Sequence, residues 1–264
     1  MAFLLAEIHK RDRLLSIVGW ANIGLALVLL MGLVVDSRLI LGINPWIKPL
    51  KFSVSIAVYV FTVAFLLDGV RAAAPKAARW ISRGVALSMS VEIVCIALQS
   101  WRGVPSHFNN ASAFDGAIFT AMGLMIALNT MLMAWLLALY FSAPRQLPPT
   151  VLWGVRLGLL IFLAGSAVGG LMVSRNAHTV GAPDGGPGLP FLNWSTRAGD
   201  LRPAHALGLH ALQILPLVGW AAARTRAGSQ GTRTAMVFAF AAVYLTTAGW
   251  LLLQALAGRP LPIG

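Results

Sequence analysis

The chain has 264 residues, 58% apolar and 11% charged, where soluble domains run at roughly 45–50% and about 25%. With a mean hydropathy of +0.78, these figures exclude a water-soluble globule and a disordered chain, and a lone Cys95 excludes a disulfide scaffold. The net charge of +12 would suit nucleic acid in a soluble protein. Here the basic residues lie in short connections between apolar runs, where topology and anionic lipid headgroups account for them, so no nucleic-acid partner is expected.

Seven apolar stretches reach or approach the ~20 residues that span ~30 Å of hydrocarbon. They fall at about 14–35, 50–70, 81–101, 117–141, 151–174, 204–222 and 235–256. Backbone polar groups must be satisfied internally in lipid, so the stretches are helices. The expectation is an all-α integral membrane bundle of seven transmembrane helices, one domain over 1–264. The first stretch is too long for a signal-peptide core and lacks a small-residue cleavage site, so it stays as a span. With the N-terminus inside, twelve basic residues face inward, among them Lys10, Arg11, Arg71, Arg79, Arg145 and the snorkelling Arg156, against eight outside. That bias gives N-in and C-out.

In chain order, the first outer connection holds Asn44-Pro45-Trp46-Ile47-Lys48-Pro49-Leu50-Lys51. Its prolines set the entry into the second helix. Trp46, Lys48 and Lys51 read as interface anchors, the lysines alternatively as an anion-binding mouth. Glu92 lies nine residues below Trp101, about 13 Å at helical rise, near the midplane. An ionisable residue at that depth is a functional candidate by default. The following connection, Arg102 to Asp115, is dense in polar groups; Asn110, Ser112 and Asp115 suit turns and caps, whereas Arg102 and His107 have no such ready role. Gly154, Gly158, Gly165 and Gly169 mark the fifth helix for close packing.

The segment 175–203 is long, rich in Gly and Pro, and read as an ordered periplasmic lid. Arg197, Asp200 and Arg202 would shape the mouth beneath it. On the sixth helix His205 and His210 are five residues apart, about 140° around the axis, and so do not present a shared i,i+4 face to a metal. His210 and Gln213 do face one way, and Gln213 matches Glu92 in depth, so a neutral Glu92 carboxyl could donate to it. Pro216 removes an amide donor from the same helix.

The working expectation is a polar pocket open to the periplasm, with Glu92 and His210 as catalytic groups. Arg102, Gln213, Arg197, Asp200 and Arg202 would bind substrate. A metal on His107, His205 and His210, or a haem, would make it a membrane enzyme acting on a small or lipophilic molecule. Alternatives are a proton-coupled transporter or channel using Glu92, with Pro216 as helix break, and a structural assembly partner. Membrane lipids are partners in every case. The helix count, the histidines and the intramembrane acid are similar to the superfamily of alkaline ceramidases and adiponectin-type receptors. The histidine spacing differs, and no residue roles are carried over from it.

Three strings carry a second resemblance: Asn-Pro-Trp-Ile-Lys-Pro-Leu-Lys-Phe (44–52), Arg-Gly-Val-Pro-Ser-His-Phe-Asn (102–109) and Gly-Asp-Leu-Arg-Pro-Ala-His (199–205). They look like those of an uncharacterised group of bacterial multi-pass membrane proteins. The resemblance covers most of the chain and implies an inner-membrane location, with no assigned activity.

Overall fold

The computed structural model describes residues 2–142, 147–226 and 228–261; Arg145, expected on the inner side, lies outside them. Among the described residues there are α1 (Ala2–Arg11), α2 (Arg13–Val35), α3 (Ile47–Arg71), α4 (Pro75–Arg102) and α5 (Ala113–Ser142). They are followed by α6 (Pro149–Arg175), the two-residue strands β1 (Thr179–Val180) and β2 (Gly199–Asp200), α7 (Arg202–Arg224) and α8 (Gln230–Leu256). Seven helices, α2 to α8, are long and apolar enough to cross a membrane. The protein is an all-α, multi-pass membrane protein. Helices α4 and α8 begin at Pro75 and Gln230, earlier than the apolar runs, because their first turns are polar.

Contacts divide the chain into two compact units, Met1–Leu136 and Leu137–Gly264. The first unit opens with α1, a ten-residue helix ending in His9, Lys10 and Arg11, too short to span and not expected from the sequence. Asp12 follows and caps α2 by accepting from the Leu15 amide at 3.1 Å. The same carboxylate, 6% exposed, accepts from Ser82 Oγ of α4 at 2.9 Å and from Arg71 Nη2 of α3 at 2.7 Å. One acid therefore ties three helices at one end of the unit.

Between α2 and α3, Asp36 takes a bidentate grip from Arg38 and a 2.8 Å bond from the Trp46 indole. Hydrogen bonds from Arg38 hold the Asp36 carboxyl well below the usual carboxylate range. Trp46 also packs on Ala26, Leu29 and Leu50, so it locks the α2–α3 corner besides any interface role. Helix α5 meets its neighbours through side chains. Ile118 and Met122 cluster with Ile96, Leu132 lies over Gly84, and the Tyr59 hydroxyl donates to Asn129 Oδ1 at 2.9 Å.

In the second unit α6 and α7 make the most extensive helix contact. A Cβ on Gly165 would meet Gly208 Cα at 2.7 Å, and one on Gly154 would meet the Leu215 carbonyl oxygen at 2.5 Å. The glycines read from sequence as packing residues therefore let two backbones touch. Helix α7 runs unbroken through Pro216, which sits against Gly154 and Gly158, so the expected helix break does not occur. Arg156 donates to the Tyr140 carbonyl at 2.9 and 3.1 Å and lies over the Phe141 and Trp153 rings, closing the end of α5.

Segment 175–203 carries two short strands and several side-chain hydrogen bonds to its own backbone. Strands β1 and β2 pair antiparallel, Thr179 with Asp200, and Gly199 rests on the Ala255 carbonyl of α8. Asp184 accepts from the amides of His178 and Thr179 and contacts His178 Nδ1 at 2.6 Å. Burial pushes the Asp184 carboxyl up, but the His178 ring and these amides outweigh it and leave it well below the ordinary range.

Two outcomes are expected. Gly165→Leu overpacks the α6–α7 contact and lowers stability by about 1–3 kcal/mol, read as a lower Tm in detergent. For Asp184, the unfolded chain takes up its proton before the folded one as pH falls. Its contribution is whole above the ordinary aspartate pKa and is lost as pH drops through that range towards the folded value. Asp184→Asn should therefore lower Tm at pH 7 and flatten the decline of Tm with acid.

Candidate functional site

Helix α4 carries Glu92 on its buried face, ten residues before its end at Arg102. Gly103, at φ +77°, ends the helix in the left-handed conformation, which glycine adopts without steric cost. The chain then turns back on the bundle through Asn109, whose side chain donates to the Pro105 carbonyl and accepts from the Ala111 amide. This return brings His107 Nε2 to 3.7 Å from Glu92 Oε1. Ser106 Oγ sits 3.1 Å from the other ring nitrogen. Rings of Phe52, Phe108 and Phe119 surround the imidazole at centroid distances of 5.9 to 6.4 Å.

Glu92 is 2% exposed, and its Oε2 has no hydrogen-bond partner. Lys48, from the first turn of α3, and Cys95, one turn along α4, interact with it electrostatically. A carboxyl and an imidazole from separate segments thus meet, the imidazole among aromatic rings, with the charge of the Lys48 ammonium acting on the carboxyl. All three can carry a proton, and the pair of Glu92 and His107 is close enough for exchange after a small side-chain rotation.

Arg102 has a different task. It binds Asp115 Oδ1 at 2.5 Å and Gln99 Oε1, while Gln99 Nε2 and Ser112 Oγ also donate to Asp115. Stacked over Phe114, the guanidinium fastens the end of α4 to the start of α5. Asp200 is held in the same manner: Arg202 grips it through Nε and Nη2, and it accepts from the Ser195 amide at 2.7 Å. Arg202 also donates to the Asn193 carbonyl. These groups are consumed in shaping the segment before α7, whereas Arg197 is exposed.

His205 donates from Nδ1 to the Gly165 carbonyl at 2.8 Å, an α7-to-α6 bond, because a carbonyl can only accept. His210 is exposed on α7, and Gln213 is half-buried one turn further on. Among the described residues no group of three or more His, Cys, Asp or Glu side chains is placed to hold a metal ion. A metal centre on His107, His205 and His210 therefore has no support in the structure. Lys48 was read from sequence as an anchor, and its proximity to Glu92 was missed. The only signal for it was the alternative reading of an anion-binding mouth.

Comparisons with protein-family models, curated proteins and solved structures give no match for this chain.

Arg102→Gln should lower stability by about 1.5–3 kcal/mol, the worth of hydrogen bonds to a charged group. A substrate-binding arginine would instead leave the Tm of the empty protein unchanged, so thermal unfolding separates the two roles.

Proposed function

We propose that this is a proton-conducting channel of the bacterial inner membrane, N-terminus inside, in which Glu92 carries the proton and His107 exchanges it. The observation that supports this reading is the contrast between Glu92 and the other buried acids. Asp12 accepts three hydrogen bonds from side chains and backbone, and Asp115 and Asp200 are held by arginine and further donors. Those acids are fasteners. Glu92 is as deeply buried but leaves Oε2 without a partner and stands 3.7 Å from its imidazole, beyond hydrogen-bond length.

An acid kept only to fasten helices is bonded, since an unmet buried polar group is costly. An acid that must gain and lose a proton is better left with one oxygen open. His107 supplies a second proton-carrying group within reach, and Lys48 brings a positive charge to bear on the carboxyl.

The test is proton flux into liposomes holding the purified protein and an internal pH-sensitive dye, driven by a pH gradient. Wild type is expected to conduct, and Glu92→Gln to fall by at least about a hundredfold, the scale of a lost acid–base group. His107→Ala should lower the flux as well. Full flux in Glu92→Gln with normal Tm overturns the proposal.

A further inference from the structure

At the opposite end of the first unit from His107, the junction of α1 and α2, the end of α3 and the start of α4 line an open cleft of about 230 Å³. Its charged lining is five arginines, Arg11, Arg13, Arg71, Arg79 and Arg83, against one carboxylate, Asp12. That carboxylate is already saturated by Leu15, Ser82 and Arg71. Arg11 is paired with Glu7 and Asp68. Arg13, Arg79 and Arg83 have no carboxylate partner among the described residues, and all three are exposed. The Nε–H groups of both Arg11 and Arg71 are buried without an acceptor.

A cleft lined by five guanidinium groups, three of them without a carboxylate partner among the described residues, describes a site for an anion. The fork of the guanidinium matches the oxygens of phosphate, and the volume exceeds what a lone halide would fill. Trp80, 62% exposed, and Leu14, 40% exposed, flank the cleft at the helix ends, where an interfacial tryptophan meets headgroups. We infer that this cleft binds a phosphate group, presented by an anionic lipid headgroup or by a soluble phosphate. The inference is independent of the proton-carrier reading.

The experiment is thermal unfolding of delipidated protein in detergent. It is titrated with inorganic phosphate, with phosphatidylglycerol, with phosphatidylcholine, or with sodium chloride at matched ionic strength. Phosphatidylglycerol is expected to raise Tm, at a midpoint concentration at least about tenfold higher in Arg13→Gln/Arg79→Gln/Arg83→Gln, as charged hydrogen bonds are lost. Arg79→Glu alone, an exposed position, should shift the midpoint the same way and serves if the triple variant does not fold. A rise with inorganic phosphate as well assigns a soluble phosphate; a rise with phosphatidylglycerol alone assigns the headgroup. Equal shifts from phosphatidylcholine or chloride, equal midpoints in wild type and variants, or no shift at all overturn the inference.

Discussion

Hydrocarbon offers no hydrogen bonds, so a polar group carried into it is costly unless it finds a partner within the chain. That constraint orders the described structure. It makes the spans helical, sends the hydroxyls of Ser166, Thr130 and Thr247 back to carbonyls on their own helices, and gives Arg156 the end of α5 to close. It also sorts the acids, since those engaged by several donors hold the fold and the one left partly open stands beside an imidazole.

Much of the architecture was legible because span length and apolar run are the same fact in a membrane protein. The seven stretches recur as α2 to α8, and the glycines of α6 do what small residues do when helix backbones touch. Helix α1 was not legible. It has only ten residues, and the acids and bases among Glu7, Lys10, Arg11 and Asp12 give no span-length run. Pro216 misled in the other direction: a proline costs a hydrogen bond, but in α7 it lies in the small-residue contact and the helix continues.

The site was half legible. Glu92 stands out in any apolar helix, and His107 stands out in its connection, but nothing in one dimension says that the second folds back on the first. That return depends on Gly103 and on Asn109, whose bonds are tertiary facts. Helical phase placed His210 and Gln213 on one side of α7 but could not say which side is buried, and His210 is exposed. Arg102, Asp200 and Arg202 drew attention as charges near an opening. Their partners lie within about a dozen residues along the chain and turn them into local braces.

Asp12 carries a consequence for biosynthesis. Its three donors lie at Leu15, Arg71 and Ser82, so the last arrives seventy residues after the acid itself. During synthesis the corner between α1 and α2 is held only by its own cap, and it becomes a closed joint when the third span emerges. The Asp12 joint is therefore complete only once α2, α3 and α4 are all present.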